Sequence, residues 1–203
     1  MGKGGGSSHT PKEQADNLKS KQSLSIIDLL CEGQIEGPVG GLKGVYLNKT
    51  PVQGDDGSNN FSGVNLQWTA GTQTQDYLSG FSSSENEVPV SGEVKKSTPL
   101  IRTITDPDID RLRVTVGVGA LFSQNDKGDV NGASVEMLVQ IGNGTTWRTV
   151  ETVKIEGKTR SQYLRSVMID NLRERPFNIR VMRQTDDSTS AMLENKTLWS
   201  SYT

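Results

Sequence analysis

The sequence contains a single cysteine, Cys31, a single histidine, His9, and few aromatic residues. One cysteine excludes a disulfide within the chain, and a zinc site needs three or four histidine or cysteine ligands. A Ser-His-Asp or Cys-His catalytic arrangement needs a histidine held in a packed site, whereas His9 follows a stretch of glycine and serine. We therefore predict no enzyme activity, no catalytic residues, no metal site and no bound cofactor.

Hydrophobic residues are also scarce, at 32% of the 203 residues, and the mean hydropathy is −0.53. Together with 22 glycines, this composition is typical of turn-rich β structure or of an assembly protein that completes its core with partners. No apolar run approaches the length that spans a membrane, and the opening MGKGGGSSH lacks the apolar region of a signal peptide. We expect a soluble protein that is made in the cytoplasm and has no membrane partner.

The charge is nearly balanced, with 22 basic and 24 acidic residues, which argues against a dedicated nucleic-acid binder. The last quarter of the chain is nevertheless basic. We interpret its cations as solvated strand faces and keep a salt-dependent contact with DNA as a weaker alternative. The cations are Lys158, Arg160, Arg165, Arg173, Arg175, Arg180 and Arg183.

Three stretches resemble ligand-binding motifs, but the residues in and around them do not fit those motifs. The glycines of residues 32–48 (EGQIEGPVGGLKGVYLN) lead into a strand pattern, whereas a phosphate-binding loop leads into a helix. Gly157-Lys158-Thr159 lacks the earlier glycine of a P-loop, so we predict a hairpin turn there. Residues 126–132 place Lys127 where a calcium loop has an acidic ligand, and we interpret them as a polar strand connection. No small-molecule substrate is expected.

Residues 1–23 predict a flexible N-terminal arm, because glycine and serine dominate its start. Within the arm, Thr10-Pro11-Lys12-Glu13 has the form of a capping box with proline at the first helical position. The helix that it would start has little beyond Leu18 to bury, so we expect this helix to order only against a partner. Short strands are predicted next, at residues 24–30, 45–47 and 64–68.

From about residue 88 the strand pattern becomes strong. Apolar residues occupy every second position in residues 112–118, 135–141 and 177–181. Gly142-Asn143-Gly144 predicts a hairpin turn, and Val150 falls out of phase on the return strand, which predicts a bulge. Trp147 and Phe177 fall on apolar faces and are assigned to the core. The sequence therefore predicts a mainly β protein containing an antiparallel β-sandwich.

The run SLSIIDLLCEGQIEGPVGGLKGVYLNKTPV, residues 23–52, resembles the start of the tail tip attachment proteins (host specificity protein J) of lambda-like phages. The likeness extends to HTPKEQADNLKS before this run and to TPLIRTITDPDIDRLRVTVGV, LVQIGNGTTW, RPFNIRVMRQTDDST and NKTLWSSYT after it. Because it covers essentially the whole chain in unbroken order, it is more specific than any single motif.

The resemblance implies a non-enzymatic virion component at the tail tip. Members of that family form a homotrimeric hub that closes the tail tube. The hub contacts other tail tip proteins, the distal tail protein and the tape measure protein, and in the full-length family it serves host attachment and DNA delivery. The implied organisation is a flexible arm at 1–23, a first hub β-barrel segment at 24–87, an inserted immunoglobulin- or fibronectin type III-like sandwich at 88–190, and the start of a strand returning to the hub at 191–203.

Family members are several times longer, and their receptor-binding region lies far towards the C-terminus, so we do not expect receptor recognition from this chain. A prophage remnant, a shortened reading frame and a piece expressed by design are three open explanations of its length. The alternative function is a stand-alone β-sandwich module that binds a cell-surface carbohydrate or protein. Aromatic residues clustered on one sandwich face would favour that alternative.

The residues that we expect to act in assembly lie in two neighbouring segments. One is the apolar strand edge at residues 24–30, because an uncovered strand invites pairing with another chain. The other is the arm from His9 to Lys21, which would dock onto a neighbouring subunit. The candidate residues are Ile26, Ile27, Leu29, Leu30, Pro11 and Leu18.

Overall fold

The computed structural model describes residues 9–20, 24–78, 81, 85–170, 172 and 176–203. The chain forms two compact units. The sandwich unit combines the N-terminal segment up to residue 22 with residues 85–203, and the inserted unit consists of residues 23–84 between them. In sequence, therefore, the smaller unit interrupts the sandwich unit, whereas we expected the sandwich to be the insertion.

The inserted unit has little regular structure. A single 3₁₀ turn, Gly41–Gly44, precedes a two-stranded hairpin of β1 (Tyr46–Leu47) and β2 (Thr50–Pro51). Asn48 and Lys49 connect these strands with φ angles of 49° and 69°, the left-handed conformation of the tightest hairpin turns. The strand expected at 45–47 is thus present. Val52 is the one hydrophobic residue that is buried among the described residues of this unit.

The strands that we predicted at residues 24–30 and 64–68 are absent, and this prediction was wrong. Neither segment belongs to a strand, and their large apolar side chains are exposed. Alternating apolar residues form a strand only when another strand pairs with its edge and a second layer covers its apolar face. Among the described residues of the inserted unit, no segment supplies that cover.

The regular secondary structure of the sandwich unit, over its described residues, consists of antiparallel strands. They are β3 (Val88–Val94), β4 (Leu100–Ile104), β5 (Leu112–Val118), β6 (Phe122–Gln124), β7 (Val130–Asn131), β8 (Ala133–Gly142), β9 (Trp147–Gly157), β10 (Tyr163–Ile169), β11 (Phe177–Arg183), β12 (Leu193–Glu194) and β13 (Thr197–Tyr202). The first sheet has the order β10-β5-β13-β3 and the second has the order β4-β11-β8-β9. Three short strands form a small third sheet in the order β12-β6-β7. The predicted β-sandwich is confirmed.

The core lies between the two large sheets and is made of the inward residues of their alternating strands. Along β5 the inward residues Leu112, Val114, Val116 and Val118 are fully buried. Ile179 and Val181 of β11 and Val139 of β8 face them from the other sheet and are equally buried. Period-two valine and isoleucine patterns suit this packing, because branched side chains fill a pleated surface well.

The β8–β9 hairpin has the bulge that the sequence predicts. Val139 pairs with Glu151 and Gln140 pairs with Thr149, so Val150 is the extra residue on β9. The turn at the other end follows Gly142, and the Asn143 side-chain oxygen accepts hydrogen bonds from the backbone and hydroxyl groups of Thr145 and Thr146. Both features follow from local chemistry, which explains why the sequence predicts them.

Residues 191–203 differ from our expectation, because they do not leave the sandwich. β13 lies inside the first sheet, paired with β3 on one side and β5 on the other. Its alternate residues Thr197, Trp199 and Ser201 point inward, and Trp199 is completely buried. Since β13 separates β3 from β5, the sandwich needs it, and our boundary at residue 190 cut through a single sheet.

The segment from Gly157 to Thr159 is likewise not a hairpin turn. β9 belongs to the second sheet and β10 to the first, so the chain crosses between sheets here. Leu121 and Thr159 exchange backbone hydrogen bonds of 2.8 and 2.9 Å across this crossing. A glycine at the end of a strand pattern indicates a change of direction but does not say to which sheet the chain goes.

Trp147 was assigned to the core and lies instead on the outer face of the second sheet. It pairs with Gly142, and the Arg180 guanidinium covers its ring at 4.2 Å from the centroid. Arg180 points outward because its neighbours Ile179 and Val181 are fully buried. Phe177, by contrast, lies in the core as predicted.

Candidate assembly surfaces

The N-terminal segment, which we call the strap (residues 9–20), is extended and runs along the sandwich. The Gln14 amide donates to the Val130 carbonyl at 2.9 Å, and the Val130 amide donates to the Lys12 carbonyl at 2.8 Å. Further along, the amides of Asn17 and Leu18 both donate to the Lys158 carbonyl. The predicted helix after Thr10 is absent, because the strap uses its backbone groups in this pairing. The expected flexible arm is therefore, over its described residues, an ordered part of the sandwich unit.

Charged side chains hold the same segment. The Lys158 ammonium is 2.5 Å from an Asp16 carboxylate oxygen and 2.7 Å from a Glu13 carboxylate oxygen, and its side chain is 2% exposed. Arg160 donates from Nε to the same Glu13 oxygen at 2.5 Å. The hydrogen bonds from Arg160 and then Lys158 lower the pKa of Glu13 to about 2. The hydrogen bond from Lys158 also lowers the pKa of Asp16, and the two carboxylates in turn raise the pKa of Lys158.

A second polar anchor lies at the start of the strap. One Asp129 carboxylate oxygen accepts hydrogen bonds from the Lys12 amide and from His9 Nε2, each at 2.8 Å. Asn125 donates to the other oxygen at 3.0 Å. These three hydrogen bonds, Asn125 first, lower the pKa of Asp129 to about 2. The loop that resembled a calcium site is thus a polar connection between β6 and β7, and its aspartate binds the strap.

The close approach of strap side chains explains two glycines of the groove under the strap. A Cβ on Gly157, whose φ is +148°, would lie 2.4 Å from the Asn17 side-chain oxygen and 2.9 Å from Leu18 Cγ. A Cβ on Gly128 would lie 3.0 Å from Pro11 Cγ. Two predicted assembly residues, Pro11 and Leu18, therefore contact the sandwich of their own chain, where Leu18 packs against the core.

The other predicted assembly residues are exposed in the inserted unit. Leu24, Ile26, Ile27, Leu29 and Leu30 have between 61% and 92% of their surface accessible. We call residues 24–30 the apolar segment. Five large apolar side chains in seven consecutive positions form an unusual exposed stretch for a globular protein.

Arg183 is a buried cation that our reading of the sequence missed. It is 2% exposed and donates to the carbonyl oxygens of Asn195, Thr185 and Asp186 at 2.5 to 3.0 Å. Burial lowers its pKa, and Asp187 at 3.3 Å opposes that effect. The signal was present in the sequence, because Arg183 continues the inward positions of β11 with the same period of two.

Most cations of the basic last quarter that the structure describes are therefore bound to other residues of the same chain. Lys158 and Arg160 bind the strap carboxylates, and Arg165 lies 3.7 Å from Glu151. Arg180 donates to Gln140 at 2.7 Å, while Arg173 and Arg175 lie outside the described residues. The interpretation as solvated strand faces was wrong for Lys158 and Arg183, which are buried.

Within the described ranges, no group of three or more histidine, cysteine, aspartate or glutamate side chains is arranged to hold a metal ion. In the same part of the chain, no helix has the length and apolar character needed to span a membrane.

Comparison with known proteins identifies the sandwich. The sequence model of the FNIII-A domain of tip attachment protein J matches residues 84–203, more than half of the chain. The chain belongs to the tip attachment protein J family. The resemblance seen in its residues is thus confirmed, as is the fibronectin type III-like character of the sandwich. The match also includes β13, in agreement with its place inside the first sheet.

Two curated members of the family are similar over nearly the whole chain. A tip attachment protein J of Escherichia phage SECphi4 is 36% identical over 201 residues, which cover 95% of this chain and 17% of the relative. Another, of Escherichia phage SECphi27, is 35% identical over 197 residues, which cover 96% of this chain and 16% of the relative. The chain spans about a sixth of the length of these relatives.

Proposed function

We propose that this chain is a structural component of a phage tail tip and acts there through protein–protein contacts during tip assembly. Membership of the tip attachment protein J family supports the location and the structural role. The observation that supports the assembly role is the exposure of the apolar segment, whose most exposed side chain, Leu29, is 92% accessible.

Covering the apolar segment with a partner is energetically favourable. Full burial of one leucine or isoleucine side chain contributes roughly 1.5–3 kcal/mol. Burial against a partner can therefore drive association, because the inserted unit does not itself bury the side chains of Ile26, Ile27, Leu29 and Leu30. These residues belong to no strand in the described part of the chain, so their backbone can take part in strand addition with a neighbouring subunit.

The finer assignments follow from the family resemblance. The inserted unit is a hub β-barrel segment whose remaining strands come from elsewhere in the assembly. Its partners are neighbouring hub subunits in a homotrimer, other tail tip proteins, the distal tail protein and the tape measure protein. Host attachment and DNA delivery belong to the full-length protein, of which this chain corresponds to about a sixth in the two relatives.

The apolar segment can be tested in an infectious phage that carries this sequence within its full-length tip protein. We expect serine substitutions at Ile26, Ile27, Leu29 and Leu30 together to abolish tail formation, as seen by electron microscopy of lysates and by plaque counts. The matched control substitutes Ile101 and Met168, which are 45% and 46% exposed on the sandwich unit. Normal tails from the first variant would exclude the apolar segment as an assembly surface.

A second candidate, a carbohydrate- or protein-binding role of the sandwich, is favoured by the outward position of Trp147. The stacked Arg180 leaves an aromatic ring beside polar groups on one sheet face. A glycan array probed with the whole chain and with its Trp147→Ala variant tests this role. Specific glycan binding that the variant loses would support this role. Absence of binding by both proteins would exclude a carbohydrate-binding role.

A further inference from the structure

The sequence contains two Asn-Gly pairs, Asn131-Gly132 and Asn143-Gly144. Glycine has no Cβ, so the backbone nitrogen of a glycine that follows asparagine is unshielded and its conformation is little restricted. That nitrogen can therefore reach the carbonyl carbon of the preceding side chain and close a five-membered ring. The two pairs share this intrinsic chemistry, and only their surroundings distinguish them.

Asn143-Gly144 lies in the exposed turn between β8 and β9. The strand ladder ends where Gly142 pairs with Trp147, so residues 143–146 can change conformation without breaking a strand pair. The backbone hydrogen bond that closes the turn, from the Asn143 amide to the Thr146 carbonyl, is long at 3.3 Å. Across the described ranges, no backbone carbonyl accepts a hydrogen bond from the Gly144 amide. The nitrogen that closes the ring is thus accessible.

The side-chain oxygen of Asn143 is surrounded by hydrogen-bond donors. It accepts hydrogen bonds from the amides of Thr145 and Thr146 at 3.0 and 2.9 Å, and from their hydroxyls at 2.9 and 3.0 Å. Ring closure turns this carbonyl oxygen into an oxyanion. Because hydrogen bonds to an ionised acceptor are roughly twice as strong as those to a neutral one, the four donors stabilise the transition state more than the starting amide.

Asn131-Gly132 is held in a way that opposes the same reaction. Asn131 belongs to β7 and pairs with Ser123 of β6. The Gly132 amide donates to the Gln14 side-chain oxygen at 3.0 Å, and a Cβ on Gly132 would lie 2.9 Å from the Gly157 carbonyl. Ring closure here has to break a strand pair and the contact of Gln14 with the Gly132 amide. This pair therefore serves as an internal control.

We propose that Asn143 is a site of spontaneous deamidation, at which the turn converts its own asparagine into isoaspartate or aspartate. The Gly144 nitrogen loses its proton to hydroxide and bonds to the Asn143 side-chain carbon. The tetrahedral intermediate then expels the side-chain nitrogen, which takes a proton from water and leaves as ammonia. A water molecule opens the cyclic imide. Opening at the backbone carbonyl gives isoaspartate, and opening at the side-chain carbonyl gives aspartate.

The product changes the turn in charge and in shape. Both products replace a neutral amide by a carboxylate, which the same four donors bind more strongly. Isoaspartate also adds one atom to the backbone of the turn, which leads directly into Trp147 and its stacked Arg180. The modification therefore acts beside the aromatic ring on the outer face of the second sheet. This inference goes beyond the assembly role proposed above and does not depend on it.

Timed incubation of the whole chain in mildly alkaline buffer tests the proposal. Samples are digested at acidic pH, where the reaction is slow, and mass spectrometry measures the fraction of each Asn-Gly peptide in which the amide has become an acid. Methylation by a protein isoaspartate methyltransferase identifies isoaspartate. A parallel incubation in guanidinium chloride gives the rates of both pairs without the fold. We expect similar rates there, whereas in the folded chain Asn143 should convert several-fold faster than Asn131. Conversion of Asn143 no faster than that of Asn131 would overturn the proposal.

A double variant tests the part played by the donors. Thr145→Val with Thr146→Val removes two hydroxyl donors and keeps both backbone donors and the shape of the side chains. We expect this variant to convert Asn143 several-fold more slowly than the wild type when folded, and at the same rate in guanidinium chloride. Thr152→Val, at an exposed position of β9, is the matched control and should leave the rate unchanged. A folded double variant that converts as fast as the wild type would contradict the stabilisation of the oxyanion by the turn.

Discussion

Lys158 and Arg183 are two buried cations of the sandwich unit. Lys158 is neutralised by carboxylates of the strap. Arg183 pairs with Asp187 and donates hydrogen bonds to backbone carbonyls of the connection between β11 and β13. Each buried charge thus fixes the path of a segment that lacks regular structure of its own. A buried cation suits this purpose because its hydrogen bonds are lost completely when the segment leaves.

The carboxylates of the strap make its attachment depend on pH. In the folded chain the pKa of Glu13 is about 2, below its ordinary value of 4.5, because the charged form binds Arg160 and Lys158. A depressed folded pKa means that the stabilisation is complete above pH 4.5 and is lost as the pH falls towards 2. We expect the NMR signals of the Leu18 methyl groups to shift towards exposed values in this window.

The Glu13→Gln variant is the control for this titration. It removes the Glu13 charge, so its strap should be less protected at neutral pH, and the remaining change on acidification should come from Asp16 and Asp129 alone. Leu18 signals that stay constant down to the acid unfolding of the sandwich would contradict the prediction.

β13 is the element on which the first sheet depends. It pairs on both sides, with β3 and β5, and it contributes Trp199, which is completely buried. The register of the pairing shifts between Trp199 and Ser201, and the Trp199 indole donates to the Ser201 carbonyl at 2.9 Å. An inner strand of this kind is a requirement for the sheet, since its removal exposes two strand edges at once.

We expect Trp199→Ala to destabilise the sandwich by about 3–5 kcal/mol, because it leaves a cavity between the sheets. Urea unfolding monitored by circular dichroism measures the loss. Leu198→Ala, on the same strand but on its half-buried face, is the matched control and should cost less. Equal losses for the two variants would mean that Trp199 does not fill the core in solution.

The whole molecule combines two units of very different construction. The sandwich unit has a continuous core of buried residues from both sheets, whereas the described part of the inserted unit buries Val52 and exposes Trp68, Tyr77 and the apolar segment. A unit with so little buried apolar surface has little to oppose the entropy of its backbone. The inserted unit is therefore the part that a partner in the tail tip would stabilise most.

Hydrogen exchange on the isolated chain tests this contrast. We expect amides of the sandwich core, such as those of Val114 and Val139, to exchange only through global unfolding. The amides of the inserted unit, including those around Val52, should exchange through local opening many times faster. Uniform protection across both units would show that the inserted unit is stable without partners.

Much of the sandwich was predictable from residue patterns alone. The alternation in residues 112–118, 135–141 and 177–181, the turn after Gly142 and the bulge at Val150 all depend on neighbours close in sequence. Family membership was equally readable, because it rests on the order of residues along the chain. The same alternation also contained the buried Arg183, which we assigned to the outer face by its charge instead of its position.

The tertiary structure decided what these patterns left open. An alternating segment shows that one face needs cover but does not name the covering partner. The sequence alone therefore could not separate β13, which lies between two strands, from residues 24–30, whose apolar side chains remain exposed. Nor could it show that Glu13 and Asp16 meet Lys158, since that contact joins residues more than 140 positions apart, with a whole unit between them. Local patterns determined the strands of this protein, and long-range pairing determined which of them came together.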